Sequence, residues 1–371
     1  MKQFYFIVLI QSLSSCVLNI DCQSCEYLYP VGYLPSQKKL LLTYQTNQKE
    51  TELFSWDVNT RYLNKDLSSF YSPMGVQVLP NDIGFSFIRN GKIYVKKFFV
   101  RSTRCIHLDD MIYDVNHIFW KNEETFYCSA KKDKRYAIFK GNFKEDCDCV
   151  LSSNEHDYLY PYIVGEELFC LKREKEFKYS IILLVGGNEI VLTDLEQKNI
   201  SHFNVINKDE IFFLNFNKKE KSSYLFDYFL WKRTQHEKPI KLFTFSIPQM
   251  FLEEGLCETF LPFLPKCLGN KILFVSESLN FGNISKTSIF EFDLIKTQSL
   301  EVFSHVDRSL FGIMPAEDRI FFGGAFCGSQ IQKDNVEIQI QKDKDEIGSF
   351  TNVEIDLFDA EYKLDLPFIY K

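Results

Sequence analysis

Eleven cysteines, six histidines and a handful of clustered carboxylates are the residues of this chain whose types could do chemistry. Cys22-x-x-Cys25, with Cys16 just upstream, has a zinc-ligand spacing, and Cys147-x-Cys149 is a looser pair far along the chain. Zinc needs four ligands converging as a tetrahedron, and no second well-spaced pair follows the first. Incidental thiols are therefore expected, with no metal and no cofactor. Cys128 and Cys170 stand among apolar residues and read as small buried hydrophobes, a usage that fits a reducing compartment.

Three histidines have acidic neighbours, in His107-x-Asp109, His156-Asp157 and His305-x-Asp307, and His202 is the fourth expected near a connection. Asp110, Asp114, Glu155 and Asp157 are the nearest candidates for acid–base work on a sugar, which needs two carboxyls roughly 5–10 Å apart. Arg89, Lys92, Lys96, Lys97, Arg101 and Arg104 form a local basic strip. The net charge of −7 opposes general attraction to nucleic acid or to anionic membrane, so no nucleic-acid partner is expected. Phosphate-binding glycine loops, the nucleophile elbow, the His-Glu-x-x-His helix and calcium loops are all missing from the sequence.

Any such side chains must be positioned by the elements that carry them, and those elements repeat. Short apolar runs led by polar turns recur at Leu40, Ile83, Thr125, Leu168, Ile211, Ile272 and Ile320, at spacings of 43, 42, 43, 43, 61 and 48. A period near 43 built from strands predicts a β-propeller. The fourth unit divides into Tyr158 to Val164, Glu167 to Leu171, Tyr179 to Val185 and Glu189 to Leu192. The turn Gly186-Gly187-Asn188 supplies residues that accept positive φ. Period-two alternation, as in Phe290, Phe292 and Leu294, marks strands with one wet face. Tyr27-Leu28-Tyr29-Pro30 recurs as Tyr158-Leu159-Tyr160-Pro161, and Tyr71-Ser72-Pro73 holds a comparable place.

The reading is an all-β chain of seven four-stranded blades, with six as the alternative count. Residues 27–371 make one propeller domain with a polar insert at 328–350, where QIQKDNVEI is followed by its near copy QIQKDKDEI. The fifth unit is enlarged, in its hairpins and in the crossing around Pro248 to Pro265. Strands for the last unit are expected at Asn352 to Phe358 and Tyr362 to Phe368.

Two readings fit residues 1–26. Lys2, an apolar stretch from Phe4 to Ile10 and Leu13-Ser14-Ser15-Cys16 are similar to a short signal peptide ending in a lipobox. Cys16 would then be lipidated and the protein periplasmic or envelope-anchored. Alternatively residues 3–10 form a strand closing the propeller, and the protein is cytoplasmic. No other stretch approaches the ~18 apolar residues that cross a bilayer, so no transmembrane helix is expected.

The Tyr-x-Pro units with their charged hairpins and aromatic strands, between residues 27 and 368, resemble the TolB-like and WD-repeat-like β-propellers. In place of the Ser-Pro-Asp-Gly turn of the former stand Leu34-Pro35-Ser36-Gln37 and Leu79-Pro80-Asn81-Asp82, and the Trp-Asp pair of the latter occurs once, at Trp56-Asp57. The resemblance implies a fold and carries no catalytic residue over. A propeller without catalytic motifs predicts a non-enzymatic interaction scaffold with a protein partner. Its ligand-binding candidates are Tyr29, Tyr71 and Tyr160 on channel-lining strands, and His107 and His156 on connections. The alternative is a glycosidase- or lyase-type enzyme with an acidic site at the channel mouth.

Overall fold

The computed structural model describes residues 25–45, 51–60, 63–64, 74–98, 100, 102–109, 111–143, 147–175, 178–192, 200–219, 223–233, 238–248, 264–279, 285–306, 310–316, 319–327 and 368–370. These residues form six antiparallel sheets around a ring, the six-blade alternative. Five are four-stranded. Blade II holds Met74–Val78, Gly84–Arg89, Lys92–Lys97 and Thr103–Ile106, and blade III holds Tyr113–Trp120, Thr125–Lys132, Arg135–Asn142 and Asp148–Leu151. Blade IV holds Asp157–Val164, Glu167–Lys175, Lys178–Val185 and Asn188–Val191. Blade V holds Ile200–Asn207, Glu210–Lys219, Ser223–Lys232 and Ile240–Pro248, and blade VI holds Lys266–Leu268, Lys271–Leu279, Ser285–Asp293 and Gln298–Val306.

Blade I is composite, and it explains the count. Its seven strands are Cys25–Leu34, Lys39–Gln45, Thr51–Asp57, Leu63–Asn64, Leu310–Ala316, Arg319–Cys327 and Phe368–Tyr370. The strand Cys25–Leu34 pairs with Lys39–Gln45 on one edge and, through Cys25 to Leu28, with Arg319–Cys327 on the other. The expected first and seventh units therefore merge into one sheet. Chain termini that share a sheet close the ring with backbone hydrogen bonds and leave no free edge between them.

Six of the seven apolar anchors fall within the first two residues of the second strand of their unit, and Ile83 immediately precedes Gly84–Arg89. In blade IV the observed turn falls at Gly186-Gly187, both at positive φ. The extra residues of the fifth unit lengthen its strands, so that its second and third strands have 10 residues each where blade IV has 9 and 8. Both Tyr-Leu-Tyr-Pro segments lie on first strands and coincide with breaks in register, between Pro30 and Gly32 and between Leu159 and Tyr162. A proline cannot donate to a ladder, so a bulge is where one can sit inside a sheet. The lipobox with Cys16, Tyr71, Asp110, the tandem insert and the strand expected at Asn352 to Phe358 lie outside the described residues.

Apolar clusters seal every boundary. Leu34, Leu41 and Leu53 of blade I meet Phe85 and Phe87 of blade II. Ile93 and Val95 of blade II meet Ile118 and Phe126 of blade III, and Ile138 of blade III meets Tyr158 and Ile182 of blade IV. Leu171 of blade IV packs with Phe213 of blade V, Phe245 of blade V with Phe274 of blade VI, and Phe303 of blade VI with Phe322 of blade I. Each sheet thus buries both faces against its neighbours, with ring pairs such as Phe303–Phe322 at 5.0 Å.

Polar clips fix the order of the blades at the turns. The two proline turns that stand in place of Ser-Pro-Asp-Gly bind each other. The Ser36 backbone N–H donates to Asp82 Oδ2 at 2.8 Å and Gln37 Nε2 donates to the Asp82 carbonyl at 3.0 Å. Asn81 continues the chain of contacts to Glu123 of blade III, and Lys121 to Glu166 of blade IV at 2.8 Å. Inside, Trp120 Nε1 of blade III donates to Ser86 Oγ of blade II at 2.8 Å.

Candidate functional site

First-strand residues of blades II to VI, with second- and third-strand residues of blade V, line a cavity of about 210 Å³. Gln77 of blade II, His117 of blade III, Tyr160 and Tyr162 of blade IV, His202 and Asn204 of blade V, and Lys266 of blade VI line it. Strand alternation puts them there. Phe203 and Val205 belong to the apolar cluster between blades IV and V, which turns His202 and Asn204 the other way. Ile118 and Trp120 do the same for His117 on blade III.

The Tyr160 ring lies between the two imidazoles, 5.2 Å from His117 and 5.4 Å from His202. Its backbone is left-handed, at φ 53°, inside the bulge of that first strand. Left-handed backbone at a tyrosine costs on the order of 1 kcal/mol, and such strain gathers at functional sites. The cavity is open to a water-sized sphere, so His117, His202 and Lys266 are only half-buried by area, yet protein surrounds them. Burial holds His117 down to about 4. Burial, with His117 and Lys266 nearby, holds His202 at about 3. Burial likewise pulls the Lys266 amine below its usual range, against a smaller opposing effect of Cys267.

This has a consequence for stability. An unfolded imidazole titrates near 6.5. Between that pH and about 4 the unfolded chain holds protons on two histidines that the folded protein leaves neutral. Stability is therefore complete above about pH 6.5 and falls as pH drops through 6 and 5. Melting temperatures measured at pH 7.5 and 5.0 are expected to show the loss, and a His117→Asn/His202→Asn variant to lose less. An equal drop in both proteins contradicts this assignment.

The carboxylates that acid–base chemistry would use are committed elsewhere. Asp114 accepts from Lys131 Nζ at 2.5 Å and from the Tyr136 hydroxyl at 3.0 Å. The Lys131 bond dominates over burial and holds its carboxyl below the usual range. Asp157 is buried, which acts to raise it. The Tyr136 backbone N–H at 2.9 Å, Arg173 and Arg135 outweigh that, and its carboxyl too lies low. Neither has the raised pKa of a general acid. Gly91, at φ 67°, lets the second hairpin of blade II press against this cluster, since a Cβ there would stand 2.8 Å from Asp114 Cα. Glu155 is exposed, and His156 lies 3.9 Å from it.

The sequence candidates scatter over the fold. Tyr160 is at the cavity. Tyr29 packs against the apolar cluster of blades V and VI, and burial pushes its hydroxyl up to about 12. His107 is exposed on the connection leaving blade II, and His156 is half-buried on the one leaving blade III. His202 was expected near a connection and lies instead within the first strand of blade V. His117 and Lys266 were not singled out. Of the basic strip, Lys97 stands over the Phe143 ring at 4.9 Å. Among the described residues no group of three or more His, Cys, Asp or Glu converges on a metal position. Cys128 and Cys170 are buried within strands, with their thiols pushed up. Among the same residues no helix is long and apolar enough to cross a membrane.

A closed ring of antiparallel blades around a ring-lined axial cavity defines a β-propeller. No family model matches the sequence, and no curated protein matches it. Among solved structures it is similar to one from an analysis of two prolyl endopeptidases, at 10% identity and a TM-score of 0.48, over 80% of this chain and 46% of that one. It is similar to TolB from Acinetobacter baumannii at 11% identity and a TM-score of 0.45, over 76% of this chain and 64% of that one. The C-terminal WD40 domain of Sif2 gives 11% identity and a TM-score of 0.45, over 81% of each chain. The chain thus spans less than half the length of the endopeptidase and just under two thirds of TolB.

Proposed function

We propose that this propeller is a non-enzymatic interaction platform that takes a protein partner on the face carrying the connections between blades. The observation behind this reading is the pairing of free apolar side chains with committed charges on that face. Met111 and Tyr113, where the chain enters blade III, are 61% and 47% exposed. Beside them Asp114 and Asp157 are held in ion pairs that join strands and blades. Met and Tyr are enriched in interfaces, and Tyr is frequent among hot spots. Carboxylates locked to Lys and Arg are poor proton donors to a glycosidic oxygen.

Affinity enrichment from source cells tests this with the full chain and a Met111→Asp/Tyr113→Ser variant whose fold is checked by circular dichroism. The wild type is expected to retain a reproducible protein partner that the variant loses. Polysaccharide cleavage by the wild type that disappears in Asp114→Asn would overturn the reading in favour of a glycosidase- or lyase-type enzyme.

A further inference from the structure

We propose that the axial cavity is a binding site for a small organic carboxylate with a flat aromatic or unsaturated body. It stands apart from the protein-binding face, and either can fail without the other.

Lys266 is the first reason. Lys266 lines a space bounded by five blades, and the described residues lining that space include no carboxylate. No hydrogen bond or ion pair joins the Lys266 side chain to another described residue; its electrostatic neighbours are His202 and Cys267. An enclosed ammonium without a counter-charge is unfavourable, and a bound anion supplies one. The neighbouring donors suit a carboxylate. Neutral His117 and His202 each offer one ring N–H, and the Gln77 and Asn204 amides line the same space. Charge-assisted bonds of this kind are the strong ones.

The rest of the wall selects the body of the ligand. Tyr160, Tyr162, Phe212 and Tyr228 contribute aromatic rings to it. A volume of about 210 Å³ exceeds the ~150 Å³ of a cavity that takes benzene, which leaves space for a ring and one carboxylate. One cation and several rings fit a monoanion with an apolar body better than a doubly charged inorganic phosphate.

Isothermal titration calorimetry of the full chain with benzoate, benzamide, acetate and inorganic phosphate tests this, with thermal shift as a second readout. Benzoate is expected to bind and raise the melting temperature, with benzamide about tenfold weaker or more because it lacks the charge. Acetate and phosphate are expected to be weaker than benzoate. Lys266→Met is expected to weaken benzoate about tenfold or more while leaving benzamide unchanged. Equal binding of benzoate and benzamide, preference for phosphate, no response to benzoate in either readout, or full benzoate affinity in Lys266→Met overturns the proposal. If Lys266→Met does not fold, the wild-type contrast between benzoate and benzamide decides alone.

Discussion

Asp157→Ala lowers the stability of the protein by about 3 kcal/mol. Asp157 opens the first strand of blade IV and is 1% exposed. It accepts the Tyr136 backbone N–H of blade III at 2.9 Å, Arg173 Nε of its own blade at 2.9 Å and Arg135 Nη1 of blade III at 3.4 Å. The two arginine side chains are 37% and 46% exposed, so solvent screens much of the Coulomb attraction. The larger loss is local. Alanine removes the carboxylate acceptor that the Tyr136 N–H and the Arg173 fork share at a closed blade boundary. Urea unfolding should show a lower midpoint with an unchanged slope, and Asp157→Asn should recover part of the loss, since an amide oxygen still accepts one bond. The carboxyl is held below its usual value, so its contribution is present above the unfolded pKa of ~3.9 and vanishes as pH falls through the folded one. A variant within about 1 kcal/mol of wild type would show that the boundary does not depend on this carboxylate.

The ring of blades was legible because each unit repeats one physical problem. A second strand buried on both faces needs a continuous apolar run, and such runs mark Leu40, Thr125 and Ile211 alike. What a period cannot report is which edges pair. Cys25–Leu34 has two edges, and its bond to Arg319–Cys327 joins residues about 300 positions apart, so seven repeats could become six sheets without any local sign. The axial cavity was hidden for a related reason. Gln77, His117, His202 and Lys266 stand six, eight, nine and six residues before their anchors. Bulges and unequal turns shift the phase of each first strand, as between Ile200 and His202, so residues that meet in space do not align in the repeat. His117 gives no local signal either, since Asp114 and Asn116 are polar residues of the same strand. The available clue was a polar residue at the axis-facing phase of several first strands. Asp157 misled in the opposite direction. Its neighbour His156 suggested acid–base chemistry, while its real partners, Arg135 and Arg173, come from other strands.

Phe243→Ala costs about 4 kcal/mol, as expected for a core truncation at a blade boundary. Phe243 lies on the last strand of blade V and stacks on Phe274 of blade VI, with centroids 4.0 Å apart and planes 12° from parallel. Phe292 of blade VI at 5.2 Å, and Tyr228 and Phe245 of its own blade at 5.2 and 6.1 Å, complete the shell. Truncation removes one ring from a five-ring cluster whose members are held by strands on both sides. Backbone hydrogen bonds prevent those strands from closing the void, so the cavity persists and its cost is retained. The stacking geometry adds to what burial alone contributes. Phe243→Leu should lose roughly half as much, because it keeps part of the apolar volume. Leu300→Ala, at a side chain 63% exposed in blade VI, should change stability by less than about 0.5 kcal/mol. Blade V touches blade VI on one side and blade IV on the other, and a closed ring transmits a loosened boundary to both. Urea unfolding followed by far-ultraviolet circular dichroism should therefore show one shifted transition for Phe243→Ala. Two separate transitions would mean that the blades unfold independently and that ring closure does not couple them.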